Sequence, residues 1–210
     1  MDKYKRKSVI MIHGKAQHGK DSLGDALNDH FDHGKIAYIA LADPIKYFLV
    51  KYYGWDGVTK NEYWRDLLIK VGTEIAREQL DEDIWVRHAA ETCDILFHLG
   101  FDTIVITDLR MRNELGLYEY STILDAEDVT YVKVVRPDFE THLTAKQQSS
   151  ITEQGLEDYW FNNVFHIREI PDKTTRKEFF DSLAGVVKET CIRCHENKYS
   201  ENGWRTYYDR

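Results

Sequence analysis

Gly14, Gly19 and Lys20 stand on the spacing G-x-x-x-x-G-K within the stretch GKAQHGKDS. Glycines at those positions let a backbone curl so that successive N–H groups converge on phosphate oxygens, and the lysine adds a mobile positive charge. The loop amides from Gly14 through Lys15, Ala16, Gln17, His18, Gly19 and Lys20 to Asp21 are therefore expected to hold the phosphate tail of a nucleoside triphosphate. Asp21 occupies the place where a serine or threonine hydroxyl usually meets magnesium. A carboxylate is also a hard oxygen ligand, directly or through water, and Ser22 follows as a second oxygen.

Such a loop works only between a strand and a helix. The apolar run Ser8 to His13 precedes it, and a segment with helical periodicity, Lys20 to His30, follows. Four further β-branched-rich runs read as strands: Ile36 to Leu41, Thr103 to Thr107, Tyr131 to Val135 and Val164 to Arg168. Helical patterns lie between them at Ile45 to Tyr53, Asn61 to Gln79, Glu82 to Leu99 and Thr174 to Glu196. The alternation predicts one α/β domain over 1–210 with a five-stranded, mostly parallel sheet flanked by helices, and the glycine-lysine loop between its first strand and first helix makes a P-loop NTPase fold the expectation. Three consecutive helices between the second and third strands exceed what one crossover needs. Residues 42–100 are therefore expected to form a helical acceptor-binding insertion, and the long polar stretch 137–163 a lid.

Composition narrows the partners. The chain carries 28 Lys+Arg against 36 Asp+Glu, a net charge of -8, which disfavours long nucleic acid and anionic membranes because both reward a basic surface. No apolar run approaches the roughly 20 residues of a membrane span, and the run after the basic opening MDKYKRK is too short for a signal-peptide core. Three cysteines, Cys93, Cys191 and Cys194, do not make a secreted disulfide framework, so a cytoplasmic setting is expected.

Six stretches together carry a resemblance: GKDS after the first strand, LADPIKYFL from Leu41, RDLLIKVGTEIAREQLDEDIWVRHA from Arg65, IVITDLRMRNEL from Ile104, VVRP from Val134, and SITEQGLED from Ser150. In this order they resemble the phage-type deoxynucleoside monophosphate kinases, a branch of the P-loop kinases, from Val9 to about Ile167. An aspartate after the loop lysine is usual in that family. The resemblance implies transfer of the γ-phosphoryl of ATP, with Mg²⁺, to a deoxynucleoside 5′-monophosphate. It would place the chain in the host cytoplasm if phage-encoded. Related kinases are commonly dimeric, so a homodimer is an expectation the residues themselves leave open.

Phosphoryl transfer requires two aligned phosphates, neutralised charge and excluded water. Lys20 is expected on the donor phosphates. Asp108, ending the strand TIVIT, is placed to order magnesium water or a basic side chain; its plainer reading is a helix cap. Arg110 matches the family's Asp-x-Arg element and is expected on the transferring or acceptor phosphate, with Arg112 a weaker candidate. Arg65 and Arg77 lie twelve residues apart, a spacing read as returning near one face of a continuous helix. Their guanidinium forks suit a monophosphate, with surface ion pairing as the plain alternative.

Trp85 offers a flat face for the acceptor base, or core filling. Asp43 and Lys46 follow the second strand toward the same edge, and Asp43 is a candidate for the acceptor sugar or base. Arg136 opens the lid toward the donor's phosphates or adenine, and Glu153 fits the family's TE as a lid brace or acceptor contact. His13 reads as packed or hydrogen-bonded. The segment CIRCH, Cys191 to His195, has haem-attachment spacing but no supporting context, and reads as an exposed helix end with two thiols.

Two other functions compete. One is a P-loop kinase for another small phosphorylated metabolite, such as phosphomevalonate. The other is a non-catalytic ATP-binding sensor, which would need one phosphate site rather than two.

Overall fold

The computed structural model describes residues 7–31, 35–59, 61–137, 139, 156, 158–168, 171–172 and 175–199, with side chains of the last helix as far as Cys191. Five strands, β1 (Ser8–His13), β2 (Ile36–Ile39), β3 (Thr103–Leu109), β4 (Val129–Val135) and β5 (Asn163–His166), form one sheet in the order β2-β3-β1-β4-β5. Every neighbouring pair is parallel; on central β1, Met11 lies opposite Ile106 of β3 and Tyr131 of β4.

The inner strands β1, β3 and β4 are buried over most of their length because both faces are covered, while the edge strands β2 and β5 are partly exposed. Side-chain alternation divides them between two cores. Val9, Met11, Ile104 and Ile106 face one core, while Ile10, Ile12, Val105 and Val134 face the other. Over the second core lie α1 (Lys20–His30), through Leu23, Ala26 and Leu27, and α5 (Arg176–Tyr199), through Phe180, Ala184, Val187 and Cys191. Those spacings of three and four residues are the stripe of an amphipathic helix. Each fully buried leucine or phenylalanine contributes about 1.5 to 3 kcal/mol. Gly24 lets α1 settle on the sheet, since a Cβ there would lie 2.9 Å from Cγ2 of Thr107.

The first core is closed by α4 (Ile84–His98) and a 3₁₀ segment, Arg112–Tyr120, which the sequence pattern did not predict. A further 3₁₀ turn, Ala126–Asp128, leads into β4. Before α4 come α2 (Asp43–Tyr53), opened by Pro44 and ended at Gly54 with φ 72°, and α3 (Glu62–Ile69), capped by the Asn61 side chain. On α2, Ile45 and Leu49 are buried, while Tyr47, Phe48, Tyr52 and Tyr53 are exposed.

The helix expected over Asn61 to Gln79 changes winding partway. From Lys70 to Leu80 the chain continues α3 as a π-helix, and the Asp81 amide closes its end on the Ala76 carbonyl at 2.9 Å. Twelve α-helical residues leave about a third of a turn between Arg65 and Arg77. The i→i+5 turns rotate less per residue and take up that offset. The shared face thus depends on π winding rather than on the continuous α-helix the spacing suggested.

Of the stretch 137–163, residues 138, 140–155 and 157 lie outside the described residues. At its far end Leu156 and Phe161 are buried in the first core. Glu153 lies outside the described residues. Cys191 corrects the reading of CIRCH as exposed: it is buried, and its thiol lies 3.3 Å from Oγ1 of Thr130. Cys93 is buried too, and burial pushes its thiol up to about 12.

Candidate functional site at the P-loop edge of the sheet

The turn from β1 to α1 has the shape its glycines require. A Cβ on Gly14 would stand 2.9 Å from the Val134 carbonyl oxygen, so the loop leaves β1 pressed against β4. Gly19 has φ 97° and Gln17 φ 65°, both in the left-handed region, and the His18 amide donates to the Lys15 carbonyl. Gly19 is the N-cap of α1 and supplies no side-chain oxygen to the first amides of the helix. Those amides and the helix dipole favour an anion at this point.

His18 anchors the loop from behind. It is buried, and its Nδ1 accepts the Arg136 amide at 3.2 Å while lying 3.4 Å from the Val134 carbonyl oxygen. The shorter contact requires an unprotonated Nδ1. Burial, outweighing the Val134 contact, lowers the His18 pKa, and Lys15, Arg136 and Lys20 push in the same direction. Arg136 returns the contact by donating from Nη1 to the Gln17 carbonyl at 3.2 Å, and its guanidinium lies 3.9 Å from the Phe139 ring centroid. Sequence reasoning placed His13 as packed, and its Nδ1 donates to the Leu109 carbonyl at 2.9 Å beside the Phe161 ring.

A cavity of about 330 Å³ opens beside the loop. Its near wall is Ala16, Lys20 and Asp21, with Lys20 largely buried and Asp21 exposed. The sheet edge contributes Thr107, Asp108, Arg110 and Met111. The insertion contributes Lys46, Arg65 and Arg77 among polar groups, and Ile45, Trp55, Leu68 and Ile69 among apolar ones. Gly72 also lines it; a Cβ there would stand 2.7 Å from Cδ1 of Ile45, so glycine permits the π-helix to approach α2.

Asp108 faces this cavity with both oxygens on backbone amides. Oδ1 accepts from Leu41 at 2.8 Å and Oδ2 from Ala42 at 3.0 Å, so the carboxylate caps the start of α2. Burial raises its pKa; the two amides, Arg110 and Lys46 pull it back. Arg77 donates from Nη2 to Oε1 of Glu114 at 2.6 Å, with side-chain exposures of only 11% and 2%. Oε2 of Glu114 accepts the amides of Arg110 at 2.6 Å and Met111 at 3.0 Å. Burial raises the Glu114 pKa, with Arg77 the largest opposing influence. Removing one member of such a pair costs about 3 to 5 kcal/mol because the other stays buried.

The structure brings together Lys20, Asp21, Lys46, Arg65, Arg77, Asp108 and Arg110. It does not bring Trp85 or Asp43 to the cavity wall. The Trp85 indole donates to the Gly72 carbonyl at 2.8 Å, bracing the π-helix from outside. Asp43 is exposed, accepting the Ala40 amide at 2.8 Å and pairing with Lys46 at 2.9 Å. Arg112 is 65% exposed, with Asp158 at 3.9 Å.

Sequence reasoning missed Trp55 and Glu114. Trp55 is 3% exposed and donates to the Thr59 carbonyl. Its place follows from the packing of α2 against α3 within the insertion, where its ring lies beside Trp64, and the sequence carries no signal for that. Glu114 stands three residues after Met111, a capping-box offset, but methionine at the first position hides the pattern.

The five-stranded parallel sheet flanked by helices, with a glycine loop joining its central strand to α1, is an α/β fold consistent with a P-loop kinase-like architecture. No protein-family model matches the chain, and no curated protein matches it. Among solved structures, an unliganded sugar kinase from Janibacter sp. HTCC2649 is similar at 15% identity and a TM-score of 0.49, covering 90% of this chain and 98% of that one. Among the described residues no helix is long and apolar enough to cross a membrane.

Proposed function

We propose that the chain is a deoxynucleoside monophosphate kinase, transferring the γ-phosphoryl of ATP to a deoxynucleoside monophosphate to give the diphosphate and ADP. The observation that carries this reading is one cavity whose walls are the P-loop, the end of β3 and the helical insertion. A kinase must seat a donor phosphate and an acceptor phosphate end to end, and this cavity takes cations from the loop as well as from the insertion and the end of β3. Lys20 and the loop amides suit the donor; Arg65, Arg77 and Arg110 suit the acceptor. The apolar wall of Ile45, Trp55, Leu68 and Ile69 suits a flat base beyond the phosphate.

The residues fit Mg²⁺ bound mainly through the nucleotide. Among the described residues no cluster of three metal-ligating side chains occurs, and the exposed Asp21 carboxylate stands beside Lys20 at the cavity wall. Magnesium characteristically takes one or two carboxylates together with phosphate oxygens and water. When bound, it would neutralise the phosphates being aligned. Lys20 would do the same from the protein side, the arginines would hold the acceptor in line, and no protein nucleophile is required.

The test is ADP release from ATP with dAMP, dGMP, dCMP, dTMP, hydroxymethylated dCMP and phosphomevalonate as acceptors. Release dependent on one or more of the nucleotides supports the reading. Release with phosphomevalonate alone assigns a different acceptor, and ATP binding without release in any arm leaves a sensor.

A further inference from the structure

We propose that Glu114 is a positioning residue for the acceptor site, setting the Arg77 guanidinium and the Arg110 turn against each other through one carboxylate. The proposal rests on the acceptor reading above. Arg77 comes from the π-helix and Arg110 from the end of β3, 33 positions apart in the chain. One carboxylate links them directly: Oε1 of Glu114 takes Nη2 of Arg77, and Oε2 takes the amides of Arg110 and Met111.

A helix cap alone would be the plainer role for this side chain. A cap, however, uses one oxygen and is served equally by glutamine. Glu114 commits its second oxygen to a residue 37 positions earlier, and a carboxylate exposed by only 2% is tolerable there because a cation faces it. The arrangement also leaves Arg77 able to serve a ligand. Its guanidinium has five N–H donors; Glu114 takes one and Asn113 Oδ1 lies 3.5 Å from another, while the residue lines the cavity. Asn113 in turn donates to Asp83 at 3.0 Å and to the Glu82 carbonyl at 2.9 Å, so the start of α4 is tied into the same frame.

Glu114→Gln keeps the cap and removes the charge facing Arg77, which separates the two roles. Steady-state kinetics on the wild type, Glu114→Gln, Arg77→Met and the double variant test it. In the wild-type background Glu114→Gln should lower kcat/KM for the nucleotide acceptor by at least about 10-fold and leave the KM for ATP within about twofold. In the Arg77→Met background the same change should cost less than about twofold, because the partner it positions is gone. Equal losses in the two backgrounds, or equal rises in KM for both substrates, would overturn the proposal. If Glu114→Gln alone fails to fold, Arg77→Met against the double variant decides: a further loss there of about 10-fold overturns it.

A second readout is independent of the acceptor. With the P-loop saturated by ADP and Mg²⁺, the extra rise in Tm given by inorganic phosphate reports on the arginine cluster. That rise should shrink in Glu114→Gln and in Arg77→Met, and no further in the double variant. A wild type that releases no ADP with any nucleotide, yet shows this pattern, would remove the kinase reading and leave Glu114 its role. An undiminished phosphate response in Glu114→Gln would remove the role itself.

Discussion

Asp108 accepts the Leu41 amide at 2.8 Å, joining the end of β3 to the turn that enters the insertion, 67 positions earlier. The strand leaving the insertion thereby fastens its entrance. Asp108→Asn would present an NH₂ group to one of the two amides now bonded to the carboxylate. We expect it to cost about 1 to 3 kcal/mol in stability, read by denaturant unfolding. If the carboxylate serves mainly as this clasp, the magnesium dependence of turnover stays unchanged in the variant; an increased requirement would assign it to the metal.

On the donor side, Lys20→Ala should lower turnover by at least about 100-fold while the fold survives, since the lost charge opposes the transferring phosphoryl. Asp21→Asn should raise the magnesium concentration needed for half-maximal rate, and Asp21→Ser should keep substantial activity. Near-normal turnover of the lysine variant would remove the P-loop assignment.

On the acceptor side, Arg110→Ala should reduce kcat/KM for the nucleotide acceptor by about 30-fold to 1000-fold, equivalent to about 2 to 4 kcal/mol, with ATP binding by calorimetry little changed. Trp55→Leu should raise the acceptor KM, whereas Trp85→Phe should lower Tm through the lost bond to Gly72 and leave the acceptor KM near the wild-type value.

The pH response of stability should carry a His18 component. Its folded pKa lies below the ordinary 6.5, so the unfolded chain binds the proton more readily, and the stabilisation is present above about pH 6.5 and lost as pH falls below it. His18→Asn, which can still accept the Arg136 amide, should flatten the fall in Tm between pH 6.5 and 5. An identical slope in wild type and variant would place the loss on other groups.

Much of this architecture is legible before any coordinates. β1 and α1 have the bounds their patterns predict because β-branched runs and an intact amphipathic stripe report local periodicity. The winding between Lys70 and Leu80 is not legible, since π and α turns draw on the same residue types and differ only in which carbonyl each amide reaches. The same limit explains the exchange of Trp85 for Trp55 at the cavity: a tryptophan's neighbours across α2 and α3 are set by packing, not by its place in the chain. Glu114 escapes notice for a related reason, as its significance lies in a pairing with Arg77 that no local pattern records.

The π winding makes residue count a variable in its own right. Rewinding the segment as an α-helix at constant length would swing Arg77 through about a third of a turn relative to Arg65, whereas an α-wound segment one residue shorter ahead of Arg77 would return the two to within about 20° of one face. Length and winding must therefore change together if the two arginines are to keep one face. For anyone grafting this insertion onto another sheet, the number of residues in the segment constrains the transplant as firmly as the arginines do.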